Sequence, residues 1–439
     1  MDLNVRRRSA GWFVPLVVAT LLPMAFPGPA GAEKATLRQD GLSFGGSLRF
    51  LSAYNSYAEL EPFFPDSQTF ARSLLRLTFG GRLAPAIAFD IHVVPYADYD
   101  SEPEAGVFKP RIGNPRYHVP GGSWERSRGS WRGGIWVDRF NVRISLPWAD
   151  LTVGRQAVTF GKAYFWNPLD VIYPFQAWEF DREYKEGADA VRLDIPMGRV
   201  TGLNLVAAPG REVVLREDFK DRLSRGGLSW YGSALLARFY TTVRNGDVSV
   251  QAGKVYGGYH VGGGFSGESA SINVRFEAAA FLADRSRLRP LPHPLENNLL
   301  ENHVSAVMGL GWRFPSGLDF NMEYFYNGAA RAKFIEGALL RMVHGSNTHL
   351  STQLLGAAFK YPVTPILDAR LTWILSIPDH SFLLQPHLSL SLSNEANLDA
   401  GAAFGVGDAP FLFDSKVPFF RTEFGTYPDV VYILLRIYF

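Results

Sequence analysis

The chain has 439 residues, of which 44 are basic and 42 acidic, and it contains no cysteine. This near balance of charge argues against a nucleic-acid-binding protein and against an acidic disordered tail. Without cysteine, a disulfide, a thiolate metal site and a cysteine nucleophile are all excluded. Aromatic side chains make up 14% of the chain although its mean hydropathy is close to zero.

Residues 1–32 have the pattern of a secretory signal peptide. Three arginines at 6–8 precede an apolar stretch over residues 11–26, and an Ala-x-Ala cleavage pattern ends at Ala32. The apolar stretch is short and contains two prolines, which argues against a membrane anchor. We therefore predict cleavage after Ala32 and a mature domain of residues 33–439.

The mature chain is dominated by segments in which apolar and polar side chains alternate. In residues 271–282, one face carries Phe276 and other apolar residues, and the opposite face carries Arg275 and Glu277. Such a period of two indicates a β-strand with one apolar and one polar face. The strands predicted in this way span residues 42–51, 71–80, 86–95, 136–146, 150–157, 188–196, 199–207, 232–243, 247–256, 258–266, 270–282, 302–313, 317–327, 350–360, 366–377, 381–392, 397–406 and 429–439.

Short turns and long loops follow these strands in alternation. Turns such as PWAD (147–150) and RNGD (244–247) follow every second strand, and the other connections include long segments at 96–135 and 158–187. Turns at one end and long loops at the other are the layout of a transmembrane antiparallel β-barrel. A soluble β-sandwich does not need to sort its connections in this way. We predict an all-β transmembrane barrel of eighteen strands, with sixteen as the alternative count.

The last strand ends on an aromatic residue. In VVYILLRIYF, Ile433 and Ile437 share one face, Tyr432 and Arg436 share the other, and Phe439 is the final residue. This ending resembles the C-terminal signature of Gram-negative outer-membrane barrels, which the barrel-assembly machinery reads. The resemblance implies a location in the cell outer membrane, contact with its lipid, and assembly by that machinery through Phe439.

A barrel of sixteen to eighteen strands leaves an aqueous lumen, so this chain is large enough to form a pore. The alternation predicts which charged side chains face that lumen, and the basic ones outnumber the acidic ones. A mild preference for anions is therefore expected. The predicted lumen cations are Arg49, Arg76, Arg139, Arg143, Arg192, Arg238, Arg275, Arg370 and Arg436, and the predicted lumen acids are Asp90, Asp194, Glu277, Asp319, Glu323 and Asp368.

Residues 151–175 (LTVGRQAVTFGKAYFWNPLDVIYPF) carry a second resemblance. In large outer-membrane porin-like families, Gly-Arg-Gln ends a strand, and an aromatic-Gly pair and Asn-Pro-x-Asp follow. The corresponding residues here are Gly154, Arg155, Gln156, Phe160, Gly161, Asn167, Pro168 and Asp170, with Phe160 where relatives often have Trp. The resemblance implies a porin-like channel. Alginate-type export barrels of eighteen strands have a similar layout, so polysaccharide export stays open.

The segment 158–187 is rich in acidic and aromatic residues and is the third long loop. In general porins this loop folds into the lumen, and the resemblance implies the same position here. Its carboxylates would then face arginines across a narrow passage, which would select among ions. The predicted constriction comprises Arg139, Arg143 and Arg192 opposite Asp170, Glu179, Asp181 and Glu183, with Trp166, Tyr173, Phe175 and Trp178 as aromatic residues that brace the loop or stack on sugars. The alternative is an external loop packed on its neighbours.

Motifs for catalysis are weak. His344 and Ser346 in VHGSNT resemble the His-x-Ser-Asn of outer-membrane lipid hydrolases, but the glycine that usually follows is missing. No Walker loop, HExxH or GxSxG occurs, so we predict a non-enzyme without cofactor or metal. The expected function is passive passage of small hydrophilic solutes with a mild anion or sugar preference. Polysaccharide export and lipid hydrolysis are the alternatives.

Overall fold

The computed structural model of the protein describes residues 41–57, 65–103, 116–118, 122–175, 183–214, 224–269, 271–284, 301–330, 349–413 and 417–439. The predicted signal peptide, residues 1–32, lies outside these ranges. Within them, no helix is long and apolar enough to cross a membrane.

Eighteen antiparallel strands form one closed barrel, so the predicted fold class and strand number are confirmed. Each barrel strand pairs with the next one along the chain, and β21 pairs with both β18 and β1, which closes the ring. Strand β4 is an additional strand on β5, and β19 and β20 form a separate hairpin. The strands are β1 (Leu42–Ser56), β2 (Ser67–Ala84), β3 (Ile87–Asp100), β4 (Ser123–Arg128), β5 (Trp131–Ser145), β6 (Asp150–Gln156), β7 (Ala188–Pro196), β8 (Thr201–Val214), β9 (Ser224–Val243), β10 (Gly246–Val255), β11 (Gly258–Ser269), β12 (Ile272–Ala283), β13 (His303–Arg313), β14 (Asp319–Asn327), β15 (Gln353–Thr364), β16 (Leu367–Ser376), β17 (Phe382–Ser393), β18 (Ala396–Val406), β19 (Phe411–Phe413), β20 (Val417–Phe419) and β21 (Asp429–Tyr438), and one 3₁₀ turn spans Phe424–Thr426.

Each of the predicted strands coincides with a barrel strand, and the differences lie at the ends. Strand β9, for example, begins at Ser224 although the pattern predicts a start at residue 232. Strand β4 lies inside the predicted loop 96–135 and is not predicted at all. All six of its residues are exposed, so no buried face gives it an alternating pattern.

The outer surface of the barrel is apolar between two girdles of aromatic residues. Phe276 and Ile433 are 45% and 46% exposed on this surface, and Phe320 packs there on Phe359 with ring centroids 4.9 Å apart. An apolar band between two aromatic girdles is the surface that a transmembrane barrel presents to lipid. The exposed aromatics of the girdles include Tyr54, Trp124, Trp131, Trp230 and Tyr259 towards the long-loop end, and Trp148, Trp312, Tyr361 and Phe439 towards the turn end.

The C-terminal residue takes part in closing the barrel. The backbone N–H of Phe439 donates to the carbonyl of Gly46 (3.0 Å), and the N–H of Gly46 donates to the carbonyl of Phe439 (2.8 Å). The terminal aromatic therefore extends the pairing of β21 with β1 by one residue at the turn end. Its recognition by the barrel-assembly machinery stays a prediction.

The inner face carries the charged residues that the alternation predicts for the lumen. Arg275 on β12, Gly309 on β13 and Glu323 on β14 are direct neighbours across three strands, for example. One irregularity adds a charge that the alternation does not predict. Between β3 and β5 the register shifts at His92, so Asp138 and Arg139 are both buried on the inner side.

The wall contains a gap that a neighbouring segment fills. Strand β6 has only seven residues, because the chain leaves the wall after Gln156. Towards the long-loop end, β4 takes the place of β6 beside β5. There the carbonyl of Arg116 accepts an N–H group from β8, and the carbonyl of Tyr117 accepts one from β7. The segment before β5 therefore completes the wall where the β6–β7 loop, residues 157–187, departs from it.

The lipid-facing surface can be tested with one added charge. We expect Phe276→Arg to lower the free energy of unfolding by about 2–4 kcal/mol, because a charge near the membrane midplane is poorly solvated. The matched control is Gln385→Arg, which places the same side chain on the inner face. Unfolding by denaturant in lipid vesicles measures the stability of both variants. Equal stability would contradict the assignment of Phe276 to the outer face and Gln385 to the inner face.

Candidate constriction site

The Gly-Arg-Gln motif ends β6 and turns the chain away from the wall. Gly154 has φ +115°, and a Cβ atom there would lie 2.2 Å from the carbonyl oxygen of Phe140, so only glycine fits. The guanidinium of Arg155 forms a two-pronged ion pair with Asp189 at the start of β7, with both N···O distances 2.8 Å. The Gln156 amide donates to three carbonyl oxygens nearby. These contacts fix the direction in which the β6–β7 loop starts.

The next motif residues fold the loop back on itself. A Cβ atom at Gly161 would lie 2.3 Å from the side-chain oxygen of Asn167, so this glycine makes room for the Asn167 amide. The N–H of Asp170 donates to the carbonyl of Asn167 (3.0 Å), which forms a turn. The two halves of the sequence motif are therefore in contact within one compact bend.

Two carboxylates from the opposite wall hold this bend. Glu277 on β12 accepts the backbone N–H groups of Lys162 and Ala163, and Glu323 on β14 accepts those of Tyr164 and Phe165. Both glutamates are buried, and hydrogen bonds to a charged acceptor are stronger than neutral ones. These two predicted lumen acids are thus anchors of the loop.

Small inner residues make room for the apolar side chains of the loop. Cβ atoms at Gly262 and Gly264 on β11 would lie 2.7 and 3.1 Å from the side chain of Leu169. A Cβ atom at Gly356 on β15 would lie 2.9 Å from both Phe165 and Trp166. Larger residues at these three positions would push the loop away from the wall. This contact explains two of the glycines in β11, Gly262 and Gly264.

Trp166 joins the loop to two other loop segments through a buried hydrogen-bonded chain. Its indole N–H donates to Nε2 of His349 (2.9 Å), so Nδ1 carries the proton that bonds to Glu423 (2.8 Å). Glu423 also accepts the N–H groups of the two residues after His349. The Trp166 ring stacks on Phe325 at 11°. The segments around 349 and 423 are therefore fixed against the same bend.

The returning arm of the loop, of which residues 183–187 are described, contacts two of the predicted lumen arginines, although not the three predicted for the constriction. Glu183 forms an ion pair with Arg49 on β1 (2.7 Å) and accepts the hydroxyl of Tyr438 on β21 (2.6 Å). The Tyr184 ring lies close to two guanidinium groups, 4.6 Å from Arg49 and 4.1 Å from Arg76. An acidic and aromatic arm thus faces a basic wall formed by β1 and β2.

Asp170 does not face Arg139, Arg143 or Arg192, the arginines predicted to lie opposite it. It forms a buried ion pair with Lys185 of the same loop, and Arg139 donates to the carbonyl of Lys185. Burial raises the pKa of Asp170 to about 6 and lowers the pKa of Lys185, so desolvation outweighs their mutual attraction. The pair closes the loop on itself rather than onto the wall.

The aromatic residues predicted for the loop have different surroundings. Tyr173 is buried, with φ 55°, and its hydroxyl accepts the N–H of Tyr117 (2.8 Å). Burial raises the pKa of Tyr173 well above its usual value. Phe175 is half-buried. Trp178, Glu179 and Asp181 lie outside the described residues, as do His344 and Ser346.

The predicted arginines Arg143 and Arg192 lie together on the turn side of the loop. They line a cavity of about 370 Å³ in the lumen, which also contains Asp90, Arg139 and Asp194. Arg192 forms an ion pair with Asp194 (2.8 Å). Arg143 is exposed and has no ion-pair partner among the described residues.

No protein-family model matches the chain, and no curated protein is similar to it in sequence. Among solved structures, the barrel is similar to Acinetobacter baumannii OccAB2, with a TM-score of 0.57, 10% identity and coverage of 91% of this chain and 98% of that chain. It is also similar to A. baumannii OccAB3, with a TM-score of 0.55, 10% identity and coverage of 91% and 99%. A third similar structure is Pseudomonas aeruginosa OpdK with vanillate, with a TM-score of 0.53, 8% identity and coverage of 90% and 98%. These are outer-membrane porins with eighteen strands, so the predicted outer-membrane porin-type fold is confirmed.

The two wall anchors can be tested by removing their charge. We expect Glu277→Gln and Glu323→Gln each to lower the free energy of unfolding by about 1.5–3 kcal/mol, because a charged acceptor of backbone N–H groups is lost. The amide group also brings its own donors towards those N–H groups. Glu395→Gln, in the β17–β18 turn, is the matched control; the carboxylate of this half-buried residue accepts the Ser393 hydroxyl (3.4 Å). Unfolding experiments measure the stability of the variants, and single-channel recordings measure the noise of the current. Anchor variants with the same stability and the same current noise as the control would contradict this prediction.

Proposed function

We propose that the protein is a porin-like channel of the outer membrane, through which small hydrophilic solutes pass passively, and that the β6–β7 loop narrows its lumen. The position of this loop carries the proposal. From β6 the loop contacts β12, β14 and β15, and β15 is nine positions from β6 around the ring of eighteen. Its returning arm contacts β1 and β21. A loop with contacts to opposite walls must cross the lumen.

The same position argues against a wide conduit for polysaccharide export. A bend held by two buried carboxylates and by apolar contacts with three wall glycines is fixed in the lumen, so it leaves a narrow passage. The proposal includes no catalytic step, since the similar structures are channels and not enzymes.

The charges of the remaining passage support a mild preference for anions. Several inner arginines are neutralised by neighbouring carboxylates, as in the pairs Arg76–Asp138 and Arg192–Asp194. Arg143 is exposed to the same cavity and has no such partner among the described residues. An excess positive charge in a confined aqueous space attracts anions and repels cations. We therefore propose Arg143 as a residue that sets ion selectivity.

Planar-bilayer recordings of the refolded protein under a salt gradient test this proposal. We expect an open, ohmic channel whose reversal potential indicates a preference for anions. Arg143→Gln should shift the reversal potential towards that of a cation-preferring channel, because one positive charge is lost from the passage. Arg143→Lys keeps the charge and should leave the potential nearly unchanged. A silent bilayer from well-folded protein, or equal potentials for both variants, would contradict the proposal.

A further inference from the structure

The hairpin formed by β4 and β5 presents an unusual outer surface near the long-loop end. Glu125 and its cross-strand neighbour Gly134 face the lumen side, where the hydroxyl of Tyr96 donates to the Glu125 carboxylate (2.5 Å). Because side chains alternate along a strand, Trp124, Arg126 and Arg128 lie on the opposite, outer face. Two arginines are therefore directed away from the barrel at the level of an aromatic girdle.

The register places these arginines next to apolar and small residues. From the membrane towards the rim, Trp124 is opposite Ile135, Arg126 is opposite Gly133, and Arg128 is opposite Trp131. Trp124 and Trp131 are 61% and 60% exposed, so their rings are open to the surroundings. The patch has an apolar end nearer the membrane and a basic end nearer the rim.

Gly133 leaves a notch in the middle of this patch. A Cβ atom there would meet only the carbonyl oxygen of Tyr96, at 3.4 Å, and the backbone is not in the left-handed region. Neither close packing nor φ therefore requires glycine at this half-buried strand position. A glycine within a strand weakens it unless something approaches closely. The notch is bordered by Trp131, Ile135 and Arg126.

The two arginines have no ion-pair partner in the described part of the chain. The outer positions of the flanking strands β3 and β5 carry only apolar or glycine residues, such as Ala97, Tyr99 and Gly133. A guanidinium group close to lipid is unfavourable without an anion, and its planar donors match a phosphate group in a bidentate arrangement. Basic side chains at this depth attract anionic headgroups.

We propose that Trp124, Arg126, Arg128, Trp131 and Gly133 form a binding site for the phosphorylated headgroup of a glycolipid in the outer leaflet. The arginines bind the phosphate, the tryptophan rings contact the sugar and the first acyl carbons, and the notch at Gly133 receives the group that joins them. The occupant is a lipid because the site is continuous with the apolar band and its basic end lies towards the rim. This inference rests on the proposed outer-membrane location and does not depend on conductance.

Native mass spectrometry of the delipidated full chain, titrated in detergent with diphosphoryl lipid A, tests the site. We expect the parent protein to bind this probe about tenfold or more tightly than its dephosphorylated form, since charge-assisted hydrogen bonds are lost without phosphate. The variant R126A/R128A should lose this preference, and Gly133→Leu should weaken binding without changing any charge. Arg126→Lys with Arg128→Lys should retain part of the preference.

Two controls keep the outcome interpretable. Arg244→Asn removes an exposed arginine in the turn between β9 and β10, at the other end of the barrel, and Asn tolerates its φ of 56°. It should bind the lipid as the parent does. Heat-dependent gel mobility shows that each variant is folded.

Equal binding by R126A/R128A and the parent would overturn the site, as would equal binding of the phosphorylated and dephosphorylated probes. A change of oligomeric state in R126A/R128A without lipid would also overturn it, because the patch would then be an interface between copies of the chain. A silent bilayer together with intact lipid binding would refute the channel and leave the lipid site supported.

Discussion

The structure depends on two buried carboxylates that accept backbone N–H groups from a loop. Glu277 and Glu323 project from strands on one side of the barrel, and the residues that they bind leave the wall on the other side. A peptide segment inside the lumen needs partners for its N–H groups wherever water is displaced. The anchors supply charged acceptors at that place, and three wall glycines let the apolar side chains of the loop approach.

Moving part of the chain into the lumen has consequences for the wall and for the other loops. Strand β6 is short because its continuation is the loop, so β4 and the backbone around Tyr117 restore the wall above it. The chain Trp166–His349–Glu423 then ties two further loop segments to the same bend. The departure of the β6–β7 loop from the wall also leaves room for the β4–β5 hairpin, whose outer face carries the proposed lipid site. The proposed constriction and the proposed lipid site thus depend on the same rearrangement of the chain.

The alternation of side chains predicted the barrel well, because each strand is an independent repeat of the same two-sided pattern. It also placed Arg143, Arg192 and Glu277 on the inner face. The partners could not be predicted in this way. Glu277 and the residues it binds are more than one hundred positions apart in the chain, and only the closed ring brings them together.

Two local features also limited what the sequence could predict. The register shift beside β5 turns Asp138 inward together with Arg139, and alternation cannot foresee such a shift. The expectation that Asp170 faces arginines used charge alone. Lys185, fifteen residues further along the same loop, is a nearer partner. The alternation also fails to predict strand β4, because all of its residues are exposed and none forms a buried face.

The absence of cysteine from the chain allows the central claim, that the β6–β7 loop lies in the conducting path, to be measured directly. Lys162 contributes its backbone N–H to the anchor Glu277, whereas its side chain is exposed towards the lumen. A cysteine at Lys162, treated with a charged thiol reagent during single-channel recording, should lower the conductance, and reagents of opposite charge should shift ion selectivity in opposite directions. A cysteine at Arg244 should not respond. Unchanged conductance at position 162, with modification verified by mass, would contradict the account.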